Sequence, residues 1–577
     1  MFLTRLILIA FAIAFCIMLR PVAMRADTTV ALNAVDSGWY RTTGFHDATN
    51  DNYLAGKVGA AGEFRNFLVF DLSSVRGPIK SATLRLFNPT LGYDSFDPFE
   101  EYTVYDVTTA IADLMASNDS RTDIHQDLGS GTSYGSVQVF DPSNNVVVAV
   151  TLNGNAISNL NASRGQFAFG GAITSLSGQD FEFIFGGSDN SSLRQLVLTV
   201  ASPLLISEFR LAGLQGSADE FIELHNNDIG PLTVSTTDGS PGWALVSSDG
   251  VTRFVIPNGT IIPARGHYLV TNNSPGGYSL GDYGGQSAST GDGTYAGDIP
   301  SDLGLALFQT ANQSNYTIAN RLDAVGFSGV ADANFREGTG LSPAMGVGTA
   351  TQFSFVRKLN AGPAQDTDDN AADFVFLAVD QSGGAKLGAP GPENLGSPVQ
   401  RNATIKASII DPNCAGTGAP SSACARARDF TPVTNGPNGT LAVRRRFRNN
   451  TGQPVTRLRF RVVDMTTGSA TAGTADLRMI SSPDIPAATL VGGGTVFIRA
   501  LTLEEPPRQP SGGGLNATVS DNTITMATPL GPGASVNVQF LLGVQQSGNF
   551  RFLVNVEGLT NTASPNLKKS EVKLKRR

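Results

Sequence analysis

Six arginines at alternating positions are the most distinctive chemistry-bearing residues of this 577-residue sequence. They form two triplets: Arg444, Arg446 and Arg448, then Arg457, Arg459 and Arg461. Strand side chains alternate between faces, so each triplet shares one face of its strand. The apolar residues between the arginines face the other way, namely Val443, Phe447, Leu458, Phe460 and Val462. With a turn over 449–454, the pattern predicts a β-hairpin of 441–447 and 455–463.

An arginine face of this kind needs a counter-charge, because like charges opposite each other across strands are unfavourable. We therefore expect an anionic partner: an extracellular polysaccharide, a nucleic acid, or the chain's own acidic modules. The alternative is a solvated face with local partners such as Asp464 or Asp476. Aromatic residues that would stack on bases do not interleave on this face. Nucleic acid is therefore the least favoured partner.

An acidic cluster near position 370 has the density of oxygen ligands that Ca²⁺ prefers. Its candidate ligands are Asp366, Asp368, Asp369, Asn370 and Asp373. The cluster lacks the glycine and the distal glutamate of an EF-hand loop. We expect a weak structural Ca²⁺ site and no other cofactor. The alternative is that Asp and Asn simply shape a turn.

Two cysteines of the mature chain, Cys414 and Cys424, lie close together in a Gly/Pro/Ser-rich loop. In an exported protein this spacing predicts one disulfide. The alternative is two free thiols in a reducing compartment. Export itself is predicted by residues 1–26, which read as a signal peptide: Arg5, an apolar run over 6–19, and a short polar exit. We expect a secreted or cell-surface protein.

Motifs for catalysis are weak. Residues 131–135 match G-x-S-x-G, but a Gly/Ser loop precedes the motif and a predicted strand follows it, whereas a nucleophile elbow needs a strand and then a helix. The four histidines are scattered, and neither a P-loop nor a dinucleotide-binding fingerprint is present. The sequence therefore predicts a non-enzyme. A hydrolase or nuclease stays open as an alternative, since paired glycosidase carboxylates need no fixed spacing.

Composition favours short strands joined by many turns. The chain has 64 Gly and 30 Pro, with 41 % hydrophobic and only 16 % charged residues. Charge is uneven: from Arg401 onward there are 21 basic and 10 acidic residues, against 20 and 39 before it. The net charges of +11 and −19 indicate either a polyanion-facing end or two ends that attract each other.

The first module, 28–200, contains Phe-Leu-Val-Phe-Asp-Leu at 67–72 and Ser-Ala-Thr-Leu-Arg-Leu at 81–86. With two short helical turns at 111–116 and 156–161, it resembles the jelly-roll-like modules of bacterial surface proteins, some of which bind polysaccharide. An alternative function is therefore a carbohydrate-binding accessory protein that grips sugar through a tyrosine or Trp39.

The second module, 203–398, resembles the lamin-tail domain, an immunoglobulin-like β-sandwich found in nuclear lamins and exported bacterial proteins. The likeness rests on Ile-Ser-Glu at 206–208, Glu-Phe-Ile-Glu-Leu at 220–224, Trp243, and the strand at 263–270. It extends to the acidic cluster at 366–374 and the Gly-Ala-Pro-Gly-Pro ending at 388–392. His225 departs from the usual tyrosine, and a Gly/Ser-rich insertion over about 272–348 splits the module.

The third module, 401–558, looks like an immunoglobulin-like terminal sandwich, followed by a basic tail over 559–577. The sequence thus predicts an all-β protein of tandem β-sandwiches. The function that it favours is a non-catalytic surface or matrix protein that adheres to polymers or other proteins.

Overall fold

The structure is a computed structural model that describes residues 27–282, 289–342, 351–359, 363–414, 423–468 and 471–560. The predicted signal peptide and nearly all of the basic tail lie outside these residues. The described chain is 44 % strand and 8 % helix, which confirms the predicted all-β class. Two compact units are present: Ala26–Pro203 with Asp228–Gly230 (the first unit), and Leu204–Asn227 with Pro231–Arg577 (the second unit).

The first unit is built from a four-stranded and a seven-stranded sheet. Its strands are β1 Thr28–Asn33, β2 Asp36–Arg41, β3 Ala55–Val58, β4 Glu63–Asp71, β5 Ile79–Asn88, β6 Glu100–Asp106, β7 Ser133–Val139, β8 Val146–Thr151, β9 Gln166–Ile173, β10 Phe181–Ile184 and β11 Arg194–Val200. The sheet orders are β1-β11-β5-β8 and β10-β3-β4-β9-β6-β7, with β2 beside β4. Phe70, Leu84 and Phe169 belong to the core cluster of this unit.

Three short helices accompany these sheets: α1 Ile111–Leu114, α2 Thr122–Asp127 and α3 Gly154–Asn161. The first and third lie where helical turns were predicted. The second was not predicted, because a single turn carries too little periodicity to recognise. Leu114 of α1 and Ile124 and Leu128 at α2 cover Tyr40 and Phe67 on the seven-stranded sheet.

The middle sandwich, residues 204–398, forms the first part of the second unit. Its strands are β12 Leu204–Arg210, β13 Phe221–Asn226, β14 Leu232–Thr233, β15 Gly242–Ser247, β16 Thr252–Pro257, β17 Ile261–Ile262, β18 His267–Asn272, β19 Gly293–Tyr295, β20 Leu305–Phe308, β21 Arg321–Val325, β22 Phe353–Arg357, β23 Phe374–Ala378 and β24 Lys386–Leu387. A short helix, α4 Asn370–Asp373, precedes β23. The sheets run β19-β18-β13-β12-β22-β23-β24 and β16-β15-β20-β21, with a separate β14-β17 pair.

The predicted Gly/Ser-rich insertion is part of this fold. β19 pairs with β18, and β20 pairs with β15 and β21, so the segment supplies strands to both large sheets. These strands could not be recognised from the composition of the segment because they are short. Alternation along β13 predicts that Phe221 and Glu223 share one face and Ile222 and Leu224 the other. In the structure Ile222 and Leu224 lie in the main core, and Phe221 packs on the opposite side.

The terminal sandwich, residues 399–560, completes the second unit. Its strands are β25 Val399–Gln400, β26 Ile405–Ser408, β27 Arg426–Asp429, β28 Thr440–Asn449, β29 Val455–Met465, β30 Asp476–Ile480, β31 Ile485–Thr489, β32 Thr495–Ile498, β33 Thr502–Leu503, β34 Thr518–Ser520, β35 Ser535–Gln546 and β36 Phe552–Thr560. The sheets run β25-β36-β29-β34-β33 and β26-β28-β35-β30, with β27 also on β28 and a separate β31-β32 pair.

The predicted arginine hairpin is wrong. β28 pairs with β35, whereas β29 pairs with β36, so the two arginine strands lie in opposite sheets. Phe447 and Phe460 meet between the sheets, with ring centroids 4.7 Å apart. The residues predicted to face inward do so, but the two strands pack through these side chains across the sandwich instead of pairing side by side in one sheet. The alternation of threonine and apolar residues at 523–526 also predicts a strand, and this prediction is wrong, because the segment is a turn that leaves Met526 exposed.

No helix among the described residues is long and apolar enough to cross a membrane.

Candidate functional site: a basic strip and a buried charge cluster

The two arginine triplets have different surroundings because their strands lie in different sheets. Arg444, Arg446 and Arg448 lie on the outer face of β28, opposite Phe447, which belongs to the core. Arg459 and Arg461 are buried, at 3 % and 2 % exposure. The six predicted polyanion-binding residues therefore divide into an outer set and an internal set.

The outer set belongs to a polar strip that crosses three strands. Arg448 pairs directly with Lys406 of β26 and with Ser535 of β35. One step along, Arg446 pairs with Ser408 and Asn537. Directly paired residues project from the same face of a sheet. We call Lys406, Ser408, Arg446, Arg448, Ser535 and Asn537 the basic strip.

The cations of the basic strip lack carboxylate partners. Among the residues that the structure describes, no carboxylate lies within 4.0 Å of Lys406, Arg446 or Arg448. Arg446 instead donates through Nε to Asn537 Oδ1 at 3.0 Å. Arg448 and Lys406 are exposed, and they lie side by side with the same charge. The strip is therefore a concentration of positive charge that the described protein does not neutralise.

One end of the outer face is covered. Arg444 is buried and donates through Nε to Gln539 Oε1 at 2.8 Å, and burial lowers the pKa of Arg444. The β31–β32 hairpin lies beside the strip, since Asn537 Nδ2 donates to the carbonyl of Phe497 at 3.0 Å.

The predicted disulfide, Cys414–Cys424, is present, with Cα atoms 5.6 Å apart. Its neighbours Ile410 and Ala423 pack with Ala488 and Ile498 of the hairpin. The bridge therefore links the segment that contains Ile410 to the segment that begins at Ala423, and both residues pack against the hairpin beside the basic strip.

The internal arginines have carboxylate partners that the sequence analysis did not identify. Arg457 Nη2 lies 3.2 Å from Glu504. Arg459 contacts both Glu393 and Glu557. The local partners that were considered, Asp464 and Asp476, instead pair with Arg551 and Arg478.

Arg461 is held by polar groups of four residues. Its Nη2 lies 2.9 Å from Glu393, and its Nε donates to Glu557 at 2.8 Å. Its Nη1 donates to Asn516 Oδ1 at 2.6 Å and to the carbonyl of Gly391 at 3.4 Å. Gly391 and Glu393 lie in residues 388–398, which follow β24 and which we call the linker. Through them this arginine ties the terminal sandwich to the end of the middle one.

The contacts continue into the middle sandwich through a histidine. His267 Nε2 lies 3.0 Å from Glu393, and His267 Nδ1 lies 3.1 Å from Glu223. Glu208, on the neighbouring strand, accepts from Asn516 Nδ2 at 3.0 Å. We call Glu208, Glu223, His267, Glu393, Arg459, Arg461 and Glu557 the buried charge cluster.

Electrostatics inside the cluster differ from group to group. Burial would raise the pKa of Glu557, but Arg459 and Arg461 outweigh it and hold the pKa below its ordinary value. Burial and the charge of Glu223 raise the pKa of Glu208 to about 7. Burial, with the neighbouring His267, holds the pKa of His225 well below its ordinary value, so His225 is neutral.

The predicted calcium ligands face several different partners. Asp369 accepts from the amides of Thr339 and Ala371, at 3.1 and 3.2 Å, and caps α4. Asn370 Oδ1 accepts from the amides of Gly326 and Glu337, both at 3.0 Å.

Asp373 accepts from the Thr367 hydroxyl at 2.8 Å, and Asp368 adopts a left-handed turn conformation with φ 57°. Asp366 lies near Asp323 and Glu337, with carboxylate oxygens within 4.8 Å of one another. Arg357 already lies 3.6 Å from Asp366. Four of the five residues thus shape the turn, and the calcium site stays a prediction.

Trp39 was considered for sugar binding and Ser133 for catalysis, and the surroundings of each do not suit that role. The Trp39 ring is 7 % exposed, packs edge-on against Phe64 at 4.8 Å, and lies under the Arg41 guanidinium at 5.1 Å. It offers no open face for a sugar. Ser133, of the G-x-S-x-G match, begins β7 and has no helix directly after it.

Comparisons with known proteins identify no family. No protein-family model and no curated protein matches the chain. Among solved structures, a calcium-binding mutant of Bacteroides uniformis β-glucuronidase 2 aligns with 52 % of this chain at 11 % identity and a TM-score of 0.15. This chain spans about a third (32 %) of the length of that protein. A Corynebacterium diphtheriae protein described as membrane-anchored aligns over 94 % of this chain and 98 % of its own length, at 9 % identity and a TM-score of 0.12. These TM-scores are too low to support an inference.

Proposed function

We propose that this protein is an exported, non-catalytic matrix or surface component that binds an anionic polysaccharide through the basic strip. The observation that carries the proposal is the row of Lys406, Arg446 and Arg448, which has no carboxylate within 4.0 Å among the described residues. Adjacent like charges are unfavourable without a counter-ion. A polymer that brings carboxylates or sulfates to this face removes that repulsion.

The chemistry of the strip favours a sugar polymer over a nucleic acid. Guanidinium groups recognise carboxylate and sulfate oxygens through paired hydrogen bonds. Ser408, Ser535 and Asn537 add hydroxyl and amide groups that suit sugar hydroxyls. Single-stranded nucleic acid is usually held by aromatic side chains that stack on the bases, and the strip contains none.

The rest of the chain serves in this proposal as a rigid support. The cluster of buried ion pairs fixes the terminal sandwich against the middle one, which we take to be a lamin-tail-like module. The disulfide suits an oxidising compartment outside the cell. A polymer-binding face on a rigid scaffold needs no cofactor.

Binding assays on the chain and on a double variant test the proposal. Arg446→Gln with Arg448→Gln should weaken binding to polygalacturonate or dextran sulfate by about tenfold or more, and binding should weaken further as NaCl rises, since exposed charge contacts are screened. Neutral dextran should not bind. Isothermal titration or biolayer interferometry gives the affinities.

Arg551→Gln is the matched control, because Arg551 is an exposed arginine outside the strip that pairs with Asp464 at 3.1 Å. All variants should also be compared in a chain that ends at Thr560, so that the basic tail does not mask the result. Equal affinities for the double variant and Arg551→Gln would refute the proposal.

A further inference from the structure

The buried charge cluster contains two glutamates directly opposite each other. Glu208 of β12 and Glu223 of β13 are paired residues in the antiparallel register. Their exposures are only 1 % and 3 %. Two ionised carboxylates at such positions repel each other strongly, and water cannot screen them.

The charges of the cluster do not balance when every carboxylate is ionised. Four glutamates face two arginines and one histidine: Glu208, Glu223, Glu393, Glu557, Arg459, Arg461 and His267. His267 lies between two of these carboxylates, with Nε2 3.0 Å from Glu393 and Nδ1 3.1 Å from Glu223. The four carboxylates outnumber the basic groups even when His267 is counted as one of them. A proton on one glutamate therefore reduces the excess of negative charge.

Glu208 is the glutamate best placed to hold that proton. Each of Glu223, Glu393 and Glu557 has an arginine or His267 within 4.0 Å, whereas no basic side chain among the described residues lies that close to Glu208. Its Oε1 accepts from the Ser354 hydroxyl at 2.7 Å, and its Oε2 accepts from Asn516 Nδ2 at 3.0 Å. The Ser354 hydroxyl can turn to accept a proton on Oε1, while Oε2 keeps the hydrogen bond from Asn516.

We propose that Glu208 is a proton-binding site that controls how firmly the linker and the terminal sandwich are held against the middle sandwich. The amide of Gly391 in the linker donates to Glu208 at 3.0 Å, and Asn516 belongs to the terminal sandwich. The docked linker and terminal sandwich keep Glu208 from water, so a proton that removes its charge favours the docked arrangement. Loss of the proton restores the repulsion between Glu208 and Glu223. This inference does not depend on the ligand of the basic strip.

The surroundings place the transition near neutral pH. Burial and then Glu223 raise the pKa of Glu208 to about 7, while Ser354, Arg461 and the Gly391 amide act in the opposite direction. A carboxyl with a raised folded pKa stabilises the fold when protonated, and that contribution is lost as pH rises through about 7.

Two other titratable groups also interact with Glu208: Arg210, which is paired with Asp219, and Tyr278, whose pKa burial raises.

Hydrogen exchange of the linker in the full chain tests the proposal. The reporters are the amides of Gly391 and Glu393, which donate to Glu208 and to Glu223. After correction for the intrinsic rate, their protection should fall about tenfold or more between about pH 5.5 and 8.5, and Glu208→Gln should abolish this dependence. Pepsin fragments that cover residues 388–398 give the measurement.

Glu220→Gln is the matched control. Burial also raises the pKa of Glu220 to about 7, but its partners are Asn272, Tyr295 and the Ile299 amide, all within the middle sandwich. This variant should keep the pH dependence of the linker. Ser354 favours the ionised carboxylate, so Ser354→Ala should raise the pKa of Glu208 and move the loss of protection to higher pH. Protection in the wild type that does not change with pH, or an equal effect of both glutamine variants, would overturn the proposal.

Discussion

Buried arginines in this protein serve packing and alignment rather than surface binding. Arg461 makes contacts with the linker, with β36 and with the loop before β34, through Gly391, Glu393, Glu557 and Asn516. A buried ion pair adds little stability compared with an apolar pair, but removal of one partner leaves an uncompensated charge. Side chains in such a network are therefore sensitive to substitution, even far from any ligand.

Glu393 offers a direct test at the residue scale. Glu393→Ala removes the carboxylate shared by Arg459, Arg461 and His267, and we expect a loss of about 3–5 kcal/mol in the free energy of unfolding of the second unit, as for other broken buried pairs. Urea denaturation measures the loss.

Asp464→Ala breaks the exposed Asp464–Arg551 pair and should cost much less, since solvent screens surface pairs. Similar losses for the two variants would contradict the assigned role of the cluster.

Strand pairing decides which residues can act together at the element scale. The pairing of Arg448 with Lys406 and of Arg446 with Ser408 creates the basic strip. The pairing of Arg459 with Glu557 places the second arginine triplet next to a buried carboxylate. The same arginine spacing thus gives an open surface on one sheet and a neutralised interior on the other. A shift of β28 by one residue would exchange its core and outer faces and destroy the strip.

The disulfide lies next to residues that pack against the hairpin beside the basic strip. Replacement of both Cys414 and Cys424 by serine should lower the free energy of unfolding by about 2–3 kcal/mol, the size expected for a loop with a sequence separation of 10. Urea denaturation in the absence of reductant measures the change. Wild-type protein with the bridge reduced should match the double variant, and unchanged stability in either would show that the loop is held by other contacts.

The whole second unit holds several buried carboxyls that favour the protonated form. Burial raises the pKa of Glu208 and Glu220 to about 7, and that of Asp292 and Asp323 to about 6. Each of these groups stabilises the fold when protonated and loses that contribution as pH rises through its folded pKa. His225 acts in the opposite sense, because its lowered pKa gives stability that is lost as pH falls below its ordinary value.

We therefore expect the free energy of unfolding of the second unit to fall between about pH 6.5 and 8.5, where the loss from Glu208 and Glu220 outweighs the small remaining gain from His225. Trp39 and Trp243 are the two tryptophans, so Trp39→Phe leaves Trp243 as a fluorescent reporter of this unit. Urea titrations of that variant at several pH values give the slope. Addition of Glu208→Gln and Glu220→Gln should flatten it, and stability that rises with pH over this window would contradict the assignment.

Sequence patterns by themselves determined the strand content and most of the core. The alternation around Phe447 and Phe460 named the inward residues correctly, and the spacing of Cys414 and Cys424 predicted the bridge. These features depend on neighbours a few residues apart, which the sequence records directly. Side-chain direction in a strand follows from its period of two, whatever the partner strand is.

Only the tertiary structure decided which arginines stay on the surface, where they can bind a partner. Arg459 meets Glu557 at a separation of 98 residues, and Glu208 meets Asn516 at a separation of 308. Neither glutamate forms a local motif with its partner, so periodicity could not reveal the contacts. Charge asymmetry between the two ends of the chain left open a polyanion-facing end or mutual attraction, and it did not indicate which side chains are involved. Strand partners and register are set by long-range packing, and they separated one arginine pattern into a surface and an interior.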